Sequence, residues 1–186
     1  MKSSFLISLC LAFLCSCQEP PVEEYAVIPQ PADIVYTPGL VKLKSRPVVA
    51  YPVELANEAQ FLQLYLFPDF SAEAVLKEGS GSADISLQLD PAVLPDKKEG
   101  YVLDATSGKI VIKANSPSGI LNGIHTLRQV IKEKDGKLLI QKATVTDYPA
   151  FSWRAFMLDE GRYFKGKEVV KQLLDEMAAL KMNVFH

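Results

Sequence analysis

The sequence has few of the residues that build metal centres and disulfide-stabilised folds. Its 186 residues include two histidines, His125 and His186, and three cysteines, all within the first seventeen positions. A zinc site would have to be built almost wholly from carboxylates, and the chain beyond residue 17 can form no internal disulfide. We therefore expect no metal, no other cofactor, and a fold stabilised by its hydrophobic core.

Basic clusters and long apolar runs are also missing. The formal net charge is −2 and no Lys/Arg stripe is present, which excludes nucleic acid as a partner. The longest apolar run, residues 5–14, has ten residues. A helix of that length is too short to span a bilayer, so a transmembrane anchor is excluded there.

The first seventeen residues have the anatomy of a signal peptide. Lys2 supplies a positive start, residues 5–14 are apolar, and the tetrapeptide LCSC ends at Cys17. This tetrapeptide resembles the lipobox of bacterial lipoproteins. The resemblance implies an exported protein, lipid-anchored through Cys17 in the bacterial outer membrane or periplasm. An ordinary secretory peptide cleaved nearby is the alternative. Residues 18–25 form a linker rich in Pro and Glu.

Residues 26–150 predict an α+β domain with a largely antiparallel sheet and helices on one face. Helices are predicted over 54–67 and over 116–132, where Ser116-Pro117 gives an N-cap followed by proline at the first helical position. Gly119 and Gly123 on one face of the second helix indicate close packing against a backbone. The predicted strands are 33–36, 41–44, 48–51, 84–89, 101–105, 109–114, 138–140 and 143–146.

Residues 151–186 predict a different unit. A buried strand over 153–158, a polar turn, a helix over 167–181 and a second strand from 182 form a βαβ pattern. Parallel strands need further strands and helices to cover both faces, so we expect this unit to be the truncated start of a larger α/β structure.

Four segments carry a family resemblance in matching order. They are IPQP at 28–31, EGYVLDA at 99–105, SGILNGIHTLRQ at 118–129 and DYPAFSWRAFMLDEGRYF at 147–164. Together they resemble the β-N-acetylhexosaminidases of glycoside hydrolase family 20. The resemblance implies an N-terminal accessory domain at 26–150 and the truncated start of a catalytic (β/α)8 barrel at 151–186.

The same resemblance implies a reaction and a substrate. Members of this family remove terminal β-linked GlcNAc or GalNAc from glycans with retention, and the acetamido group of the sugar acts as nucleophile. Their catalytic Asp-Glu pair lies on a later barrel strand, so we expect this chain alone to be inactive. Arg162 falls at the arginine of the family motif that binds hydroxyls of the terminal sugar, and a guanidinium offers several fixed donors for that purpose.

Nearby residues have simpler interpretations. An alternative for Arg162 is a surface arginine paired with Asp159, and Asp159 itself is interpreted as capping the turn. Glu160 is interpreted as a solvated side chain. His125 is expected to pack inside a helix with its hydrogen bonds satisfied. His186 could line the site, and Trp153 is expected in the core of the domain interface.

A short lipoprotein that binds glycan or a partner protein without catalysis is the alternative function. The wide apolar stripe of the last helix argues against it, since a chain of this length has little left to cover that stripe. The sequence leaves open GlcNAc against GalNAc, the linkage and the oligomeric state.

Overall fold

The computed structural model of the chain describes residues 22–70 and 72–186. The predicted signal peptide at 1–17, with Cys17, and the first half of the predicted linker, residues 18–21, lie outside the described residues. Within the described part of the chain, no helix is long and apolar enough to cross a membrane.

An eight-stranded mixed sheet forms the first domain. Its order is β1-β8-β5-β6-β4-β2-β3, and β7 also pairs with β8. The strands are β1 (Asp33–Leu43), β2 (Val48–Tyr51), β3 (Val75–Glu78), β4 (Ile85–Leu89), β5 (Tyr101–Asp104), β6 (Ile110–Ala114), β7 (Lys132–Lys134) and β8 (Lys137–Asp147).

The two halves of the sheet differ in direction. β1, β8, β5 and β6 pair antiparallel, as expected, and the β5–β6 hairpin turns where the Thr-Ser-Gly sequence predicts. β6, β4, β2 and β3 pair parallel. The parallel half is possible because a helical segment connects β2 to β3 and supplies the length that a crossover needs. The predicted α+β class is confirmed, with a mixed sheet.

Two predicted strands are in fact one. β1 runs through the predicted turn at residues 37–39, and the irregular register lies between Tyr36 and Leu40. The Gln141 side chain stabilises this bulge, because its Nε2 donates to the carbonyl oxygens of Thr37 at 2.8 Å and Gly39 at 3.1 Å. A bulge thus replaces the turn without ending the strand.

Two helices cover the sheet. The first is α1 (Ala56–Phe61), preceded by a 3-10 turn (Val53–Leu55) and followed by a π-helical turn (Leu62–Leu66). The second is α2 (Pro117–Val130), and the Ser116 Oγ accepts a hydrogen bond from the Gly119 amide at 3.3 Å. The predicted N-cap is confirmed. α1 and α2 contact each other and the sheet, so both lie on one face.

The glycine face of α2 packs directly on the sheet. A β-carbon on Gly119 would stand 2.4 Å from the Gly100 carbonyl oxygen, and one on Gly123 would stand 2.5 Å from Ile112 Cγ2. The predicted close approach is confirmed. Alternate residues of the central strands are fully buried beneath the helices and complete the core, among them Ile85, Leu87, Leu103, Ile110 and Ile112.

The last unit follows this domain directly. It consists of β9 (Ala155–Phe156), α3 (Lys167–Ala179) and β10 (Val184–Phe185). β9 and β10 pair parallel, with Val184 opposite Ala155. The predicted βαβ unit is therefore confirmed. Both strands are shorter than predicted, and the prediction that the first strand is buried is wrong, because both residues of β9 are exposed.

Candidate functional site

The loop over residues 157–166 leaves the carboxyl end of β9 and leads into α3. At the same end, the Leu158 amide donates to the His186 carbonyl oxygen at 2.8 Å, and the His186 amide donates to the Phe156 carbonyl oxygen at 2.9 Å. The loop and His186 therefore lie at the carboxyl ends of neighbouring parallel strands. This edge is where α/β folds place their ligands.

Two carboxylates fix the shape of this loop. Asp159 Oδ1 accepts from the Gly161 amide at 2.9 Å, and Glu160 Oε2 accepts from the Lys165 amide at 2.7 Å. Asp159 thus caps the turn, as interpreted. Glu160 differs from its interpretation as a solvated side chain, because its Oε1 is buried and has no hydrogen-bond partner among the described residues.

Arg162 lies exposed in the same loop. Within residues 22–70 and 72–186, no ion pair joins it to Asp159, whose oxygen is engaged with the Gly161 amide. Two aromatic side chains beside it are also exposed, Tyr163 by 70% and Phe164 by 79%. Three consecutive residues of the loop therefore expose a guanidinium and two aromatic rings, side chains suited to hydroxyl groups and apolar ring faces.

His125 and Trp153 lie away from this loop. His125 packs inside α2 with its ring edge-on to Phe61, at 5.3 Å between centroids, and burial, assisted by Arg128 and Lys181, lowers its pKa to about 4. Its predicted packing role is confirmed, but the expectation that its hydrogen bonds are satisfied is wrong, because neither ring nitrogen has a hydrogen-bond partner among the described residues. Trp153 is 70% exposed, so its predicted place in the domain interface is wrong. The adjacent Arg154 takes that place instead, because its guanidinium forms an ion pair there with Glu99.

A buried polar cluster joins the two domains, and sequence reasoning missed it. Lys181, after α3, donates from Nζ to Asp147 Oδ2 at 2.7 Å and to the Tyr101 hydroxyl at 3.0 Å. The Tyr101 hydroxyl also bonds the Thr126 hydroxyl on α2. Burial, with the charge of Asp147, raises the pKa of Tyr101 far above its ordinary value, so the phenol stays protonated.

A second ionic contact lies beside this cluster. Arg154 forms an ion pair with Glu99 and donates from Nε to the Lys181 carbonyl oxygen at 2.7 Å. Asn183 Nδ2 donates to Glu99 Oε1 at 3.3 Å, and its Oδ1 accepts from the Arg154 amide at 3.0 Å. Arg154 and Asn183 thus connect β9 and β10 to the loop before β5.

Metal binding has no support in the geometry. In the part of the chain that the structure describes, no group of three His, Cys, Asp or Glu side chains could hold a metal ion.

Two family models match the chain in succession. Glycosyl hydrolase family 20, domain 2, matches residues 24–148, and the glycosyl hydrolase family 20 catalytic domain matches residues 151–186. The first model alone covers more than half of the chain.

Curated relatives agree with these matches. A beta-hexosaminidase of Porphyromonas gingivalis is 29% identical over 195 residues, which cover 95% of this chain and 25% of that protein. A beta-hexosaminidase of Vibrio furnissii is 34% identical over 106 residues, covering 57% of this chain and 17% of that protein. The chain thus spans between about a sixth and a quarter of the length of these two relatives.

Solved structures give the same answer. A GH20 exo-β-N-acetylglucosaminidase of Vibrio harveyi in complex with N-acetylglucosamine superposes with a TM-score of 0.77 at 27% identity, over 90% of this chain and 26% of that one. A β-N-acetylhexosaminidase of Bacteroides fragilis superposes with a TM-score of 0.75 at 27% identity, over 86% of this chain and 32% of that one. The chain belongs to glycosyl hydrolase family 20, of which it carries domain 2 and the beginning of the catalytic domain.

Proposed function

We propose that this chain is the N-terminal part of an exported β-N-acetylhexosaminidase that removes terminal β-linked GlcNAc or GalNAc from glycans. The observation that carries the proposal is the direct succession of the two family 20 regions, the second of which begins a parallel βαβ unit. Catalysis follows the retaining, substrate-assisted route, in which the acetamido oxygen of the sugar attacks the anomeric carbon.

Arg162 is the substrate-binding residue of the proposal. It is exposed at the carboxyl end of β9, and Asp159 and Glu160 hold the loop by bonding its amides. Its planar guanidinium can donate to two neighbouring hydroxyl groups of one sugar ring at the same time.

The general acid comes from a part of the barrel beyond this chain. Two adjacent Asp-Glu pairs occur in residues 151–186, and their contacts and exposure favour a structural role for both. Asp159 and Glu160 accept hydrogen bonds from loop amides, while Asp175 and Glu176 are exposed on α3. We therefore expect the chain by itself to bind sugar weakly and to hydrolyse nothing.

Export and anchoring complete the proposal. The signal peptide and the LCSC tetrapeptide support lipidation of Cys17 and attachment to the outer membrane or periplasmic face of a membrane. Metabolic labelling with a radioactive fatty acid tests this step. Label should enter the wild-type chain and be absent from Cys17→Ala, and equal labelling of both would refute the assignment of Cys17.

The test of the proposed activity joins residues 1–186 to a family 20 catalytic domain from which the first βαβ unit has been removed, so that residues 151–186 supply that unit. The product should release 4-nitrophenol from 4-nitrophenyl N-acetyl-β-D-glucosaminide and not from the corresponding β-D-glucoside, which lacks the acetamido nucleophile. Arg162→Ala should lower kcat/KM by roughly 10- to 100-fold, since it removes charge-assisted hydrogen bonds to the sugar.

A matched control separates loss of the contact from loss of the fold. Lys167→Ala removes a cation that is 77% exposed at the start of α3 and should leave kcat/KM unchanged. Equal hydrolysis of the glucoside would reject the substrate-assisted reaction. Unchanged kinetics in Arg162→Ala would remove that residue from the site.

A further inference from the structure

The residue that ends α3 has an unusual backbone conformation. Lys181 has a φ of 58°, in the left-handed region that favours glycine. The Met182 amide closes the helix by donating to the Met177 carbonyl oxygen at 2.8 Å, the bond typical of a glycine-terminated helix. The local backbone would therefore be more stable with glycine at position 181.

The side chain of Lys181 supplies a reason for lysine at this position. It leaves the βαβ unit and enters the first domain, where Nζ bonds Asp147 Oδ2 and the Tyr101 hydroxyl, and it lies 5.0 Å from the centre of the Tyr101 ring. The two ionic side chains are only 6% and 12% exposed. A buried pair of this kind costs much more to break than a left-handed residue costs to keep.

Asp147 is itself held rigidly to receive this ammonium. Its Oδ1 accepts from the Tyr148 amide at 2.8 Å and from the Ala32 amide at 3.2 Å, which leaves Oδ2 for Lys181 and Tyr101. Burial lowers the pKa of Lys181, and the hydrogen bond and charge of Asp147 oppose this effect.

Apolar contact adds little to the attachment of the last unit. Of residues 151–186, only Met177 and Lys181 are buried. Polar contacts of Arg154 and Asn183 with Glu99 also attach the unit, and Arg154 binds the Lys181 carbonyl oxygen. Lys181 is thus held at both its side chain and its backbone.

We propose that Lys181 is the docking residue that fastens the βαβ unit to the first domain, through its buried ion pair with Asp147. The pair fixes the end of α3 and hence the position of β10. β10 pairs with β9, and the Arg162 loop follows β9. The proposal concerns this chain alone and does not rest on the proposed hydrolase function.

Hydrogen exchange followed by mass spectrometry on the 186-residue chain tests the proposal, because it reports each segment separately. In Lys181→Gly, peptides from α3 and β10 should exchange roughly 100-fold faster than in wild type, while peptides from β5, β6 and β8 keep their rates. If Lys181 only terminated α3 and did not dock the unit, glycine would slow exchange at the end of α3 by roughly fivefold or more, because it relieves the left-handed backbone. The two explanations therefore predict opposite changes in the exchange rate of α3.

Two further variants complete the design. Lys167→Met removes a lysine at the exposed start of α3 and should change no exchange rate. In the wild-type background, Lys181→Met should accelerate the exchange of α3 at least as much as Lys181→Gly, because it loses the ion pair and keeps a left-handed residue with a side chain. In an Asp147→Asn background its effect should be about threefold or less, because the partner is already absent.

Three results would overturn the proposal. The first is unchanged or slower exchange of α3 in Lys181→Gly. The second is equal acceleration in β5 and β6, which would assign Lys181 to the stability of the whole chain. The third is a full effect of Lys181→Met in the Asp147→Asn background.

Discussion

Gly119 of α2 lies so close to Gly100 that a β-carbon on it would stand 2.4 Å from the Gly100 carbonyl oxygen and 2.7 Å from the Ala114 β-carbon. Because one of these neighbours is backbone, it cannot rotate away as a flexible side chain would. The helix therefore needs a residue without a side chain at this position, although glycine weakens a helix interior.

Gly119→Ala should destabilise the chain by about 1–3 kcal/mol. The gain in helix propensity of about 1 kcal/mol is smaller than the cost of forcing α2 away from the sheet. Urea denaturation followed by circular dichroism measures the difference. Ser118→Ala, at the exposed neighbouring position, should change stability by less than about 0.5 kcal/mol. A Gly119→Ala chain as stable as wild type would contradict this prediction, because it would show that α2 and the sheet can move apart at little cost.

His125 should make stability fall with acid. Its pKa is lowered to about 4 in the folded chain, first by burial and then by the charges of Arg128 and Lys181, while Asp175 lines the same small cavity. The ordinary value is 6.5, so below that pH the unfolded chain takes up a proton that the folded chain refuses. The stability contributed by the neutral ring is thus present above pH 6.5 and is lost as pH falls toward 4.

The size of this effect is about 3 kcal/mol between pH 7 and pH 4. Urea denaturation across this range should show a steeper loss in wild type than in His125→Leu, which cannot titrate. The carboxylates of the protein contribute equally to both chains, so the difference between the two pH dependences comes from His125. Parallel curves for the two chains would contradict the assignment.

The first domain should fold without the βαβ unit. Among the described residues, every buried hydrophobic side chain except that of Met177 lies within the range from Val27 to Val145, so a chain ending at Ala150 keeps almost the whole core. Such a chain should still unfold cooperatively in urea, whereas a peptide of residues 151–186 should be cleaved rapidly by protease. Gradual, non-cooperative unfolding of the shortened chain would contradict this division.

Asp147→Asn should lower the free energy of unfolding much more in the 186-residue chain than in the chain ending at Ala150. In the 186-residue chain the substitution leaves Lys181 buried without its counter-ion, and it should lower the free energy of unfolding by about 3 kcal/mol or more. In the chain ending at Ala150 the lysine is absent, and the amide oxygen of asparagine can still accept the Ala32 and Tyr148 amides. There the cost should be less than about 1 kcal/mol, and equal costs in both chains would contradict an interface role for Asp147.

Elements with local signals could be predicted from the sequence. The Ser116 cap, the glycine face of α2, the β5–β6 hairpin and the βαβ unit each depend on residues within a few positions of one another. β3 and β7 were missed for the opposite reason. β3 is short and largely exposed, and β7 is the charged tripeptide Lys132–Lys134, so each is recognisable only through the strand it pairs with.

The docking cluster could not be predicted because its parts are distant in sequence. Lys181 follows an amphipathic helix and resembles any solvated lysine, and 34 positions separate it from Asp147. Nothing local reveals that position 181 is left-handed, since glycine, the usual signal, is absent. Trp153 was misplaced because a lone tryptophan favours burial, whereas here Arg154 takes the interface.

The most direct test of the account is an activity assay on the purified 186-residue chain with 4-nitrophenyl N-acetyl-β-D-glucosaminide. We propose that the substrate-binding arginine lies in this chain and that the general acid lies outside it. We therefore expect no release of 4-nitrophenol above the rate in buffer, even at high protein concentration. Turnover by this chain that is abolished in Glu160→Gln would contradict the account, because it would place the acid in the loop beside Arg162.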